Sequence, residues 1–119
     1  IIPTIITQIL NNNKNLKLGN LSPTRDFTFV EDTADSFIQT LKSKKISGET
    51  INVGNNFEIS IKQIIEIMRE EFGYNFNVIL DKKRIREKKS EVFQLIASNK
   101  KAKKVLNWKP NYAGVKGFK

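Results

Sequence analysis

The chain has 119 residues, which suits one small domain at most. It contains no cysteine and no histidine, so disulfides, thiolate sites and histidine-ligated zinc are excluded. Its formal net charge of +9 leaves two interpretations open: a lysine-rich solvated surface, or a surface that binds a polyanion or a phosphate-bearing ligand. Because an apolar pattern is already under way at Ile1, we expect the chain to be a piece of a longer protein.

The first predicted element is a helix over about residues 3–11. Pro3 suits the first helical turn, where its missing N–H would have no partner. One face of this helix is apolar and carries Ile5, Ile6, Ile9 and Leu10. The apolar stretch is far shorter than the ~20 residues that span a bilayer, so no membrane partner is predicted. An extended piece at 16–18 follows, and Gly19 and Asn20 turn the chain.

The stretch from Pro23 to Asp35 predicts a strand that leads into a helix. Alternating aromatic and polar residues predict the strand over 27–30. Asp32 then has the character of an N-cap, with a helix over about 33–42. The expected buried stripe of this helix is Ala34, Phe37, Ile38 and Leu41. Arg25 is therefore expected on a loop at the mouth of a strand–helix unit, where a fixed positive charge could hold an anionic ligand.

The middle of the chain predicts a further strand and the clearest helix. The strand covers 50–53 and is closed by Gly54. Ser60 and Gln63 form a capping box, because the hydroxyl can accept from the N–H three residues on and the amide can reach back. The apolar face that follows consists of Ile61, Ile64, Ile65, Met68 and Phe72. Gly73 supplies a left-handed C-cap.

The last third of the chain predicts one strand and one helix. Alternating apolar residues predict the strand over 76–80, and a charged, irregular segment covers 81–89. Ser98 is the expected cap of the last helix. Its predicted inward residues are Ala102, Val105 and Leu106. Asn107 tolerates the left-handed conformation just past the helix end, and Trp108 is expected in the core.

The motif Arg25-Asp26-Phe27, followed by Val30 and Asp32, resembles the R-D-[FYW]-x-x-V-x-D segment of extended short-chain dehydrogenases/reductases. These are NAD-dependent epimerases and 4,6-dehydratases that act on nucleotide sugars. Further segments are similar to this family in the expected order: Ile2-Pro3-Thr4 with Gln8, Gly48 to Gly54, Ser60-Ile61, Ser90-Glu91-Val92, Lys101-Ala102 and Leu106 to Pro110. The stretch from Arg84 to Val92 most resembles the 4,6-dehydratases for nucleotide-linked N-acetylglucosamine, of the legionaminic acid type.

The resemblance implies an α/β fold, with residues 1–119 as the C-terminal sugar-nucleotide-binding subdomain of a Rossmann-fold enzyme, built from short strands and about four helices. NAD would be bound by an absent N-terminal part on a Gly-rich loop. The family's catalytic Tyr-x-x-x-Lys pair would lie there too. Tyr112 and Lys116 have that bare spacing but lie beyond the last helix, in a Gly-containing tail. We therefore predict no catalytic, metal-binding or cofactor-binding residue in this chain and no activity of the chain alone.

The resemblance also implies residues that bind substrate. Arg25 would pair with the substrate diphosphate, since a planar guanidinium can hold two phosphate oxygens and stays charged. Arg86 would lie across the same diphosphate, and Arg84 is a third candidate. Lys17 and Leu18 match the stretch beside the nucleobase, where the extended backbone could bond to the base edge and the leucine could pack on the ring.

Each of these residues also has an ordinary structural interpretation, which the sequence leaves open. Arg25 could form a surface salt bridge with Asp26 or Glu31. The other two arginines could be charges in an already charged loop, and the segment 17–18 could be a plain edge strand.

The sequence thus predicts the substrate-binding half of an NAD-dependent nucleotide-sugar 4,6-dehydratase or epimerase, which is a lyase or an isomerase. The substrate would be a GDP-, UDP- or dTDP-linked hexose. The resemblance further implies a cytoplasmic, homodimeric full-length enzyme. The alternative is a stand-alone basic module that binds nucleic acid or another polyanion, for which the net charge is the only support.

Overall fold

A computed structural model describes residues 1–44, 46–87 and 89–118. These ranges contain four α-helices and five short strands. In chain order they are α1 Ile2–Leu10, β1 Asn15–Leu18, β2 Thr24–Arg25, α2 Val30–Lys42, β3 Ile59–Ser60, α3 Ile61–Phe72, β4 Asn77–Leu80, β5 Gln94–Leu95 and α4 Lys100–Leu106. Short 3-10 helices cover Lys82–Arg84 and Gly114–Phe118. This α/β arrangement with four helices is the one predicted.

The chain forms two compact units. The first consists of Ile1–Pro23 and Ser60–Phe93. The second consists of Thr24–Ile59 and the residues from Gln94 onward. Each unit therefore takes one early and one late segment of the chain.

In the first unit, β1 and β4 pair in parallel, from Asn15 beside Asn77 to Leu18 beside Leu80. Parallel neighbours need a long crossover between them, and here α3 lies on that crossover. Alternation along β1 points Leu16 and Leu18 inward, and both are buried. The core of this unit also contains Ile5, Ile61, Ile64, Ile65, Met68 and Phe76.

Helix α3 begins and ends as the sequence predicted. The Ser60 hydroxyl accepts from the Gln63 N–H at 3.2 Å, and the Ser60 N–H donates to Gln63 Oε1 at 3.0 Å. Gly73 ends the helix with a φ of 58°. The prediction was wrong for Phe72, which is 54% exposed. Strand β4 begins at Asn77, so Phe76 lies before it and not inside it as expected. Leu80 lies inside the strand but is largely exposed.

In the second unit, β2 is the middle strand of a three-stranded sheet with the order β3-β2-β5. It pairs in parallel with β5, with Arg25 beside Leu95. A separate core cluster forms around α4. It consists of Ala102, Leu106 and Trp108, with Ile46, Ile51 and Val53 packed against it.

The strand predicted over 27–30 is wrong. The strand covers Thr24–Arg25 instead, Phe29 is the N-cap residue of α2, and Val30 is already helical. The aromatic alternation has another cause, because these rings pack against the C-terminal tail. The ring centroids of Phe27 and Phe118 are 5.8 Å apart, and those of Phe29 and Tyr112 are 4.5 Å apart.

The buried face predicted for α2 is also wrong. Phe37 is 67% exposed and Leu41 86% exposed, and Ala34 and Ile38 are exposed as well. The residues that α2 buries are Asp32 and Ser36. Asp32 is not the N-cap but lies in the first helical turn. The helix therefore turns its polar face inward, toward α4, and its apolar face outward.

Two smaller predictions about the second unit were also wrong. Within the described ranges, Thr50 to Val53 belongs to neither sheet, although a strand was predicted there. Helix α4 has Asn99 rather than Ser98 at its N-cap, and Val105 is 36% exposed. The left-handed Asn107 and the buried Trp108 are confirmed.

Among the helices of the described residues, none has the length and apolar character that crossing a membrane requires.

Candidate functional site

Arg25 is the last residue of the middle strand in the second unit. It does not lie on a loop, as the sequence had suggested, because sheet pairing extends through it. Its side chain is half-buried, and Nη1 donates to the Thr24 carbonyl at 2.7 Å. A strand held inside a sheet is a rigid support for a charged group.

Asp26 follows directly and binds three main-chain N–H groups. Its Oδ1 accepts from Asn55 at 2.9 Å, and its Oδ2 accepts from Asn56 at 3.0 Å and from Ala97 at 3.1 Å. Its own N–H donates to the Leu95 carbonyl at 3.0 Å. One carboxylate thus joins the end of β2, the turn at 55–56 and the segment after β5.

Gly54 makes this close packing sterically feasible. A Cβ atom at this position would lie 2.9 Å from Asp26 Oδ2 and 2.6 Å from the Ala97 Cβ. The Gly54 carbonyl also accepts from the buried Asn99 amide at 2.8 Å. A surface cavity of about 370 Å³ lies at this junction, with Asp26, Gly54 and Ala97 in its wall.

Glu58 ties the same sheet together through side chains. Its carboxylate accepts from the Thr24 hydroxyl at 2.7 Å and from the Gln94 amide at 2.8 and 2.9 Å. These hydrogen bonds, the one from Thr24 first, hold the pKa of Glu58 below its usual range. Residues next to or within β3, β2 and β5 are therefore linked across the sheet.

The other candidate residues belong to the first unit. Leu18 is 1% exposed, and its carbonyl accepts from the Asp81 N–H at 2.7 Å. The Lys17 N–H donates to Gln8 Oε1 at 2.8 Å, and Gln8 Nε2 donates to the Lys17 carbonyl at 3.4 Å. The main-chain groups that were expected to meet a base edge are thus bonded within the chain.

Arg84 lies beside the end of β1. A Cβ atom at Gly19 would come within 2.5 Å of the Arg84 carbonyl oxygen, so the two backbones pack directly on each other. Arg84 Nε lies 3.3 Å from Asp81 Oδ2, in an ion pair on the surface. Arg86 is exposed and follows the 3-10 helix. The structure thus brings Lys17, Leu18 and Arg84 to neighbouring positions.

Sequence reasoning missed the acceptors that hold these segments in place, above all Asp26 and Gln8. The three main-chain partners of Asp26 lie 29, 30 and 71 residues away along the chain, so its adjacency to Arg25 did not reveal them. The signal available was the Gly-Asn-Asn run at 54–56, whose small and turn-forming residues suit a tight turn.

Metal ions and dinucleotides each need a particular set of donor groups. Among the described residues there is no group of three or more acidic side chains placed to hold a metal ion. The six glycines of the chain do not form the Gly-x-x-Gly-x-x-Gly pattern that binds a dinucleotide diphosphate. The chain therefore offers no Gly-rich loop of this kind for the diphosphate of NAD.

The comparisons with known proteins agree on one family. Residues 1–119 match the family model described as GDP-mannose 4,6 dehydratase. The chain is 31% identical over 119 residues to a putative UDP-glucose 4-epimerase of Methanocaldococcus jannaschii, covering 100% of this chain and 36% of that protein.

Solved structures give the same result. Epimerase Mth375 of Methanothermobacter thermautotrophicus superposes with a TM-score of 0.85 at 26% identity, over 99% of this chain and 34% of that one. The UDP-glucuronic acid 4-epimerase of Bacillus cereus, solved with UDP-glucuronic acid and NAD, gives 0.80 at 28% identity, over 96% and 35%.

The chain therefore belongs to the extended short-chain dehydrogenases/reductases, in the NAD-dependent nucleotide-sugar epimerase/dehydratase family. It spans about a third of the length of the relatives that it matches.

Proposed function

We propose that this chain is the C-terminal, substrate-binding part of an NAD-dependent nucleotide-sugar 4,6-dehydratase or epimerase, and that Arg25 binds the substrate diphosphate. The observation that carries the proposal is the position of Arg25 at the end of a central strand, beside an aspartate anchored by three N–H groups. A guanidinium held in this way matches the bidentate geometry of phosphate oxygens. Relatives that act on nucleotide sugars support the substrate class.

The other residues that we propose for substrate binding belong to the first unit. Arg84 and Arg86 carry positive charge on an exposed segment that an anionic ligand can reach. Lys17 and Leu18 remain the predicted nucleobase residues. A base could use the Lys17 peptide only by displacing the Gln8 amide, and the buried Leu18 side chain would not offer a stacking surface in this conformation.

The rest of the enzyme would bind NAD and hold the reacting groups, so the chain alone would be inactive. The exposed apolar face of α2 supports the existence of that remainder. A helix with its polar side inward leaves Phe37 and Leu41 to be covered by other chain, and the relatives are about three times as long. We propose that the remainder of the same polypeptide covers this face.

The finer assignment rests on resemblance. The stretch from Arg84 to Val92 favours a 4,6-dehydratase, hence a lyase, for a nucleotide-linked N-acetylglucosamine. The epimerase relatives favour an isomerase. A homodimeric enzyme and a cytoplasmic location belong to the same proposal. Turnover of GDP-, UDP- and dTDP-linked hexoses decides between a dehydratase and an epimerase, because a dehydratase forms a nucleotide-linked 4-keto-6-deoxy sugar and an epimerase forms the nucleotide-linked 4-epimer.

The test is Arg25→Ala in the full-length enzyme. We expect substrate binding to weaken by about 1.5–3 kcal/mol, the scale of a hydrogen bond to a charged group, with most of the effect in KM. Arg25→Lys keeps the charge but loses the planar fork, so it should recover only part of the loss. Lys104→Ala, an exposed cation on α4, controls for a lower net charge.

Unchanged KM and kcat in Arg25→Ala would contradict the proposal. The polyanion-binding alternative would gain support if duplex DNA bound the chain with a steep dependence on salt concentration.

A further inference from the structure

Asp26 has a bonding pattern that the proposed substrate contacts do not use. All three of its carboxylate bonds described above go to main-chain N–H groups, and the donors lie 29, 30 and 71 residues away. The carboxylate acts as a junction for three separate segments.

The chemistry of the junction requires an acid rather than an amide. An ionised carboxylate has two oxygens that only accept hydrogen bonds, so both can face N–H donors. An asparagine would turn its NH₂ group toward at least one of those donors. The absence of a Cβ at Gly54 leaves room for Oδ2, and Asn56 has a φ of 56°, a conformation that asparagine tolerates.

The junction fixes the backbone immediately after Arg25. Sheet pairing holds Arg25 beside Leu95, and the next N–H, that of Asp26, donates to the Leu95 carbonyl at 3.0 Å. The Asp26 side chain then anchors the same residue to Asn55 and Ala97. Because both the main chain and the side chain of Asp26 are held, the backbone at the base of the Arg25 side chain is held without a ligand.

We propose that Asp26 is a positioning residue for Arg25: it acts on substrate binding through the arginine and not by contact with the substrate. The inference rests on the proposed diphosphate-binding role of Arg25. Asp26, the second residue of the Arg-Asp motif, would then affect the affinity for substrate. This role differs from the helix capping that is common for aspartates.

The test is a double-mutant cycle in the full-length enzyme, with Asp26→Asn, Arg25→Ala and the double variant. Asp26→Asn should raise KM about tenfold, the lower end of the range for a charged hydrogen bond, with a smaller change in kcat. In the Arg25→Ala background the same change should add less than about twofold, because the two residues act as one unit. Asp35→Asn, on a half-buried aspartate of α2 bonded to Gln39, is the matched control.

The outcomes distinguish a failure of the positioning role of Asp26 from a failure of the proposed function of Arg25. If Arg25→Ala raises KM and Asp26→Asn does not, the positioning role is overturned and the proposed function stands. If the two effects add fully, Asp26 acts on KM independently of Arg25, and the inference is also overturned. If Arg25→Ala has no effect, the proposed function fails, and the positioning role fails with it. Should Asp26→Asn not fold, Asp26→Glu keeps the charge at a shifted distance and should give the same non-additive rise in KM.

Discussion

At the residue scale, aspartates in the second unit stabilise the fold by accepting from main-chain N–H groups. Asp32 is 1% exposed, and its two oxygens accept from the N–H groups of Asn111 and Tyr112 at 2.7 and 3.0 Å. Its carbonyl accepts from Trp108 Nε1 at 3.2 Å. Hydrogen bonds to one residue in the first turn of α2, Asp32, therefore hold both Trp108 and the tail that follows it in place.

Replacing Asp32 by alanine should destabilise the chain by about 2 kcal/mol, because two N–H donors would lose a charged acceptor in a buried place. Urea denaturation of the chain measures this. Glu31→Gln is a matched control, since Glu31 lies in the same helical turn but is exposed, and both changes remove a charge from the helix N-terminus. Equal losses in the two variants would show that the helix dipole, and not the tail, accounts for the effect.

At the element scale, the elements fixed by local contacts could be predicted from the sequence and the others could not. The ends of α3 depend on Ser60, Gln63 and Gly73, which lie within or next to the helix, so their spacing was sufficient. The orientation of α2 depends on α4 and on a tail about 80 residues away, which periodicity alone does not reveal. The same limit applied to Asp26, whose neighbour Arg25 was recognised while its distant partners were not.

The sheet around β2 should respond to acid through Glu58. Its folded-state pKa is lowered, so its contribution is present above the unfolded pKa and is lost as pH falls through the folded pKa. We expect Glu58→Gln to be less stable than the native chain at neutral pH, with the difference shrinking as pH falls from about 5 to about 3. Thermal unfolding at several pH values measures it.

Thr24→Val, which removes the first cause of the shift, should reproduce part of this change. Glu70→Gln, at an exposed glutamate of α3, serves as the control. If the difference in stability between the native and Glu58→Gln proteins stays constant with pH, ionisation of Glu58 does not account for it.

At the scale of the whole molecule, the apolar face of α2 is exposed in the part of the chain that the structure describes. Phe37 and Leu41 project from a helix whose opposite side packs against α4. Relatives of this family are about three times as long as this chain, and the proposed function assigns the cover of this face to the remainder of such a polypeptide.

Replacing both Phe37 and Leu41 by serine should have opposite consequences in two contexts. In the 119-residue chain, the free energy of unfolding should hardly change, because both side chains are already exposed. In the full-length enzyme it should fall by at least about 3 kcal/mol, the cost of removing two buried apolar side chains. Leu10→Ser, at a leucine of α1 that is 76% exposed, is the control for loss of a surface leucine. Equal effects in both contexts would contradict coverage of this face.

The hydrogen bonds between Gln8 and Lys17 have a further consequence for solubility. A sheet of two strands has two outer borders, and an open border can recruit a strand from another molecule. The Gln8 amide offers the Lys17 peptide the same donor and acceptor that a foreign strand would offer. A single side chain from the preceding helix thus occupies the peptide groups at the centre of β1 that an added strand would need.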